Sequence, residues 1–135
     1  MANALYDKGR EGFLAGDIDW DLNNIRVILV DTGVYIANLA TDIHQTNIGV
    51  TARIATSGVF ATKTVTAGVA DASDVTLSAV TGATSEALVI FQDTGASATS
   101  RLIAYIDTAS GLPVIPNGGD IEIQWDNASN KIFKL

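Results

Sequence analysis

The chain has 135 residues, 47% of them apolar and 17% charged, with a net charge of −7 and a pI near 4.3. That length and hydropathy bound one ordered domain, able to bury roughly 70% of its unfolded surface, and exclude the weakly apolar, highly charged composition of disordered chains. Eight Lys and Arg scattered along an acidic chain exclude a phosphate-neutralising nucleic-acid surface, and zero cysteines exclude disulfides, thiolate catalysis and thiolate zinc sites.

Residues 1–17, MANALYDKGREGFLAGD, hold no apolar run of the kind a secretion signal carries, so synthesis in the cytoplasm is expected. Residues 3–15 predict a short helix, with Leu5, Tyr6 and Phe13 on one side and Gly9 and Gly12 beside them. Each interior glycine costs about 1 kcal/mol relative to alanine, so this helix needs a surface to dock on. GDIDWDLNN supplies turn chemistry. IRVILV, residues 25–30, is β-branched and almost wholly apolar, which predicts a strand covered on both faces. DTGVYIANL turns and returns, and ATDIHQTNIG is a polar loop with one helical turn. VTARIAT predicts a strand. FATKTVTAGVA predicts another, with Phe60, Thr62, Thr64 and Thr66 on one face and Ala61, Lys63 and Val65 on the other. DASD breaks it, and VTLSAV alternates again. EALVIFQ and RLIAYI predict two more strands, EALVIFQ doubly buried. A long turn region then holds both prolines, before IEIQW places Ile121, Ile123 and Trp125 inward. DNASN links IEIQW to KIFKL as a hairpin. The longest apolar runs, VILV and ALVIF, are too short to span a bilayer as a helix.

Short strands in close succession, without helices between them, predict a mainly all-β fold: an antiparallel sandwich or barrel-like module with a short N-terminal helix. One domain covers 1–135, with 1–20 as helix, turn and candidate docking arm and 21–135 as the sandwich.

Asp-Thr-Gly occurs twice, at Asp31 and Asp93. An aspartic protease sets two such loops face to face so that two carboxylates share one proton. Against this, no C-terminal helix of the retroviral kind is legible, and aspartate also follows two further strands, at Asp107 and Asp126. Asp accepts from backbone N–H groups one or two residues on, so the stretch also works as a strand terminator. That reading explains more, and a hydrolase using Asp31 and Asp93 stays a remote alternative. His44, the one histidine, sits in a polar loop without a strained nucleophile motif. The acidic loops at Asp71–Asp74 and 126–130 could offer calcium oxygens but match no EF-hand, and turns use the same residues. No catalytic, cofactor or metal residues are therefore assigned. Leu5, Tyr6, Phe13, Trp20 and Tyr35 are the candidate partner-docking residues, since aromatic residues are enriched at interfaces. The helix could equally cap the module's own core.

Three stretches, ALYDKGREGFLAGDIDWDLNNIRVILVDTGVY, then ARIATSG with TKTVTAGVADASDVTLSAVTG, then LIAYIDTASGLPVIPNGGDIEIQWDNASNKIFKL, together cover nearly the whole chain. They resemble a family of small tailed-bacteriophage virion proteins, which in size, acidity and β-rich make-up is similar to capsid decoration (cement) proteins. The resemblance implies a structural virion part without catalytic residues or cofactor. Its partners would be the major capsid protein and copies of itself, expected as a homotrimer, on the capsid exterior. A tail or fibre component is the alternative.

Overall fold

The computed structural model describes residues 3–135. Its centre is an antiparallel ladder of three strands, β2 (Ile25–Val30), β7 (Ala87–Gln92) and β8 (Leu102–Ile106). β2 and β7 pair along their full lengths, from Ile25 opposite Gln92 to Val30 opposite Ala87. β1 (Ala4–Leu5) extends the sheet beyond β8 and β3 (Arg53–Thr56) extends it beyond β2, giving the order β1-β8-β7-β2-β3.

Alternation divides the side chains of these strands between two cores. Ile25, Val27, Leu29, Leu88 and Ile90 point to one face, where they meet Trp20, Phe60, Leu77, Ile123 and Trp125. Ile28, Val30, Ala87, Val89 and Phe91 point to the other, where they meet Tyr6, Tyr35, Ile48, Ala52 and Tyr105. Covering on both faces is what the unbroken apolar runs require, and each such side chain contributes about 1.5–3 kcal/mol by leaving water. Where β7 meets β8 the register shifts. Phe91 faces Leu102 and Ile90 faces Ala104, leaving Ile103 as an extra residue turned into the first core.

Two small sheets form the second layer over the first core. One has the order β10-β5-β4, built from β4 (Thr64–Thr66), β5 (Val69–Asp71) and β10 (Phe133–Lys134). The other pairs β6 (Val75–Leu77) with β9 (Ile121–Ile123). Aromatic rings bind the layers: Trp20 lies 5.2 Å from Phe133 and 6.0 Å from Phe60, and Phe60 lies 5.4 Å from Trp125. Edge-to-face and tilted pairs of this kind contribute about 0.5–1.5 kcal/mol beyond burial. The module is a layered, mainly β fold whose sheets do not close into a barrel.

Helix α1 covers Asp7–Ala15, a shorter span than the 3–15 expected. Residues 4 and 5 are strand instead, because the open edge of β8 offers them backbone partners: Ala4 pairs with Tyr105 and Leu5 with Ala104. The amide of Tyr6 then donates to the Ile103 carbonyl at 2.9 Å before the helix begins. α1 lies so close to β8 that a Cβ on Gly9 would stand 2.7 Å from the Leu102 carbonyl oxygen, and one on Gly12 would meet the Ile18 side chain. The two glycines give up helix propensity for that approach. The helix caps the module's own core.

Three further expectations change. The stretch 60–70 is not one strand but the approach to a β4–β5 hairpin, turned at Ala67 and Gly68 with φ of 54° and 77°. VTARIAT opens with a 3-10 turn at Val50–Ala52, and only its last four residues are strand. IEIQW and KIFKL do not form a hairpin: β9 pairs with β6 and β10 with β5, because each finds an apolar row already standing in the second layer.

Gly9→Ala tests the close approach. Helix propensity alone would give a gain of about 1 kcal/mol, but the obstructing atoms are backbone and cannot swing aside. A net loss of about 1–3 kcal/mol in urea unfolding is expected, whereas Gly49→Ala, with open space around its Cβ position, leaves the midpoint near wild type.

Candidate functional site

The two Asp-Thr-Gly loops are the sharpest chemical candidate, and the register of β2 against β7 decides them. Asp31 follows Val30, at the Ala87 end of the ladder, while Asp93 follows Gln92, at the Ile25 end. The Asp93 amide donates to the Asn24 carbonyl at 2.8 Å, which fixes that level. The carboxylates therefore lie on the order of 20 Å apart, at ~3.4 Å of rise per residue. They cannot share a proton, so the protease dyad is corrected by geometry. Each carboxylate instead closes its own turn. Asp31 Oδ1 accepts from the Gly33 amide at 2.8 Å, and Asp93 Oδ1 from the Gly95 amide at 2.8 Å. Asp126 repeats the device with the Ala128 amide at 3.0 Å. Asp93 also anchors a cation. Its Oδ2 accepts from Arg26 Nε at 2.7 Å, and Arg26 donates in addition to the Ser57 carbonyl at 3.0 Å.

His44 precedes a 3-10 turn at Gln45–Asn47, where the Asn47 side-chain oxygen accepts from its amide at 3.0 Å. It is half-exposed and orders a loop. The acidic loop at 71–74 seats two indoles. Trp20 Nε1 donates to the Asp71 carbonyl at 3.1 Å and Trp125 Nε1 to the Ser73 carbonyl at 3.2 Å. The Asp74 carboxylate accepts from the Trp125 amide at 2.9 Å. Among the described residues, no three His, Cys, Asp or Glu side chains converge as a metal site would need.

Of the candidate docking residues, Leu5, Tyr6, Trp20 and Tyr35 are buried in the chain's own core. Phe13 is half-buried, its ring 6.0 Å from that of Phe133. The two tyrosines form a chain in the second core: Tyr6 and Tyr35 share a hydrogen bond of 2.8 Å between hydroxyls, and Tyr35 donates to Asp42 Oδ2 at 2.7 Å. Asp42 is fixed in turn by the Asn38 amide at 2.9 Å. Burial is the chief reason that both hydroxyls are pushed far above the ordinary tyrosine range, with the Asp42 charge adding to it. Burial pushes Tyr105 up as well.

The surface offers apolar contact where sequence reasoning did not look. Val34, Ile36 and Val50 are 53%, 83% and 76% exposed. They sit on two loops at the Asp31 end of the central ladder, joined by a 3.0 Å hydrogen bond from the Asp31 amide to the Ala52 carbonyl. Turn residues around these two valines and the isoleucine leave no periodicity that marks exposure. A cleft of about 820 Å3 opens between the long 107–120 connection and β9, with Leu29, Leu88 and Ile106 at its floor and Glu122 and Lys131 among its lining.

Alkaline titration follows from the tyrosines. Their protons stay bound in the native state at pH values where the unfolded chain, with tyrosine pKa near 10, releases them. This contribution to stability is therefore complete below about pH 10 and falls as pH rises through it. Tyrosinate absorbance is expected to rise together with loss of near-ultraviolet circular dichroism, not ahead of it. Tyr35→Phe, which removes the partner of a buried hydroxyl, lowers stability by about 1–3 kcal/mol at neutral pH. No protein-family model and no curated protein sequence matches the chain.

Proposed function

We propose that this chain is a structural component of a tailed-bacteriophage virion, and within it a decoration protein that binds the outer capsid shell and bridges neighbouring major capsid subunits. It is made in the host cytoplasm and acts by binding, without turnover, cofactor, nucleic acid or membrane. The resemblance across nearly the whole chain supports the virion reading.

The observation that carries the binding part is the exposed apolar group Val34, Ile36 and Val50 at one end of a rigid slab. Isolated apolar side chains on a surface are ordinary, but three of them on two mutually bonded loops suit a protein contact. The loops adjoin β2 and β3, which pair with each other, and β2 is buried along nearly its whole length. An acidic, lightly charged slab with such a tip fits a module that works by holding neighbours.

The test combines location and contact. In the assembled particle the chain is expected as density on the shell exterior, and Ile36→Asp with Val50→Asp, both at exposed positions, is expected to leave the fold intact and to weaken capsid binding at least tenfold. Density in the tail, or undiminished decoration by the double variant, would overturn the reading.

A further inference from the structure

The three-stranded sheet ends in a strand that nothing covers. β4 is the one edge strand among the described residues in which every residue is exposed; β1, β3, β6, β9 and β10 are each at least partly buried. Its loop fixes which backbone groups are free. Ala67 and Gly68 form a two-residue turn, so Thr66 and Val69 are the hydrogen-bonded closing pair. Alternation along the antiparallel ladder then turns the N–H and C=O of Val65 outward.

The side chains point the same way. Phe133, Ala70 and Val65 lie opposite one another across the three strands, on the face turned toward Trp20. Phe133 and Ala70 are at least half covered, whereas Val65 ends the row 54% exposed. Beside it lies a groove of about 310 Å3 lined by Phe13, Ile18, Trp20, Phe133 and Leu135. Leu135 is 60% exposed.

We propose that β4 pairs with β4 of a second copy of this chain, antiparallel about a twofold axis through Val65. In that arrangement Val65 faces Val65 of the other copy and the two exchange both outward hydrogen bonds. Thr64 faces Thr66, a favourable cross-strand pairing. The apolar row becomes continuous, from Phe133 of one copy through both valines to Phe133 of the other. Charge permits the contact: residues 64–70, TVTAGVA, carry none, in a molecule whose net charge of −7 otherwise repels its own copies. The neighbouring cation does not guard the edge either, because Lys63 Nζ turns inward to donate to the Asn23 carbonyl. Short edge strands with a flanking lysine are a common defence against pairing; here the lysine is committed elsewhere. This inference stands apart from the virion reading, and it replaces the threefold self-contact expected there with a twofold one, since an edge that complements itself closes as a pair.

Sedimentation equilibrium on the isolated protein tests it. The expected species has twice the 14.1 kDa monomer mass, with a Kd below ~1 mM. Val65→Lys, at an exposed position, is expected to weaken association at least tenfold while circular dichroism stays that of wild type. Val65→Pro, which removes an outward N–H that β5 does not use, does the same, and Val65→Thr keeps the dimer. Amide exchange at Val65 in the wild type slows as concentration rises. A wild-type chain that stays monomeric to ~1 mM, a trimer, or a Val65→Lys variant that associates as tightly as wild type would overturn the proposal.

Discussion

The structure depends on burial of one ladder from both sides. β2 and β7 contribute six consecutive residues each, and every residue of β7 is buried. A strand in that position can satisfy its backbone only through its neighbours, so the ladder fixes β8, and β8 fixes β1 and α1. Slipping the register by one residue would exchange the two cores, sending Leu29 and Ile90 where Ile28 and Val89 belong. Both faces are lined by large apolar side chains, so specificity comes from shape: rings and branched chains from Trp20, Phe60 and Trp125 on one side, and tyrosines with paired hydroxyls on the other. The polar side chains that do reach the ladder are tied down. Gln92 donates to the Asp17 carbonyl and to the Asn23 side chain, both at 2.8 Å, and Ser57 Oγ accepts from the Val27 amide at 3.0 Å.

From this frame the acidic residues acquire their meaning. Strands that are apolar to their last residue need an abrupt polar stop. Aspartate supplies one by accepting the amide two positions on. The device recurs at Asp31, Asp93 and Asp126, the first two at opposite ends of the β2–β7 ladder. Its recurrence looks like an active-site motif in one dimension and is a way of ending strands in three. The same economy applies to the loop at 71–74, whose carbonyls receive both indole N–H groups and so hold the second layer against the first.

How much was legible follows from these facts. IRVILV and EALVIFQ were legible because double burial leaves an unbroken apolar run that few other arrangements produce. The Asx turns were legible from residue types alone. β1 was not, because a two-residue edge strand before a helix carries no period, and Leu5 and Tyr6 also fit the helix that follows. The β4–β5 hairpin was hidden by its turn, which places Ala67 at φ 54° where glycine or asparagine would announce it. The burial of the candidate docking residues was hidden for a different reason. Sequence can mark an aromatic side chain as one that wants cover, but not whether its own chain or another supplies it. Tyr6 and Tyr35 satisfy each other's hydroxyls, and Trp20 finds a carbonyl 51 residues away.

The central claim is that the β2–β7–β8 ladder is the most stable unit and that the small sheets, α1 and the loops rest on it. Native-state hydrogen exchange reads this residue by residue. Amides of β2, β7 and β8 are expected to exchange slowest, at the free energy of global unfolding, while the β4–β5 hairpin opens at much lower cost. Equal protection across both layers, or slowest exchange in the small sheets, would contradict the account.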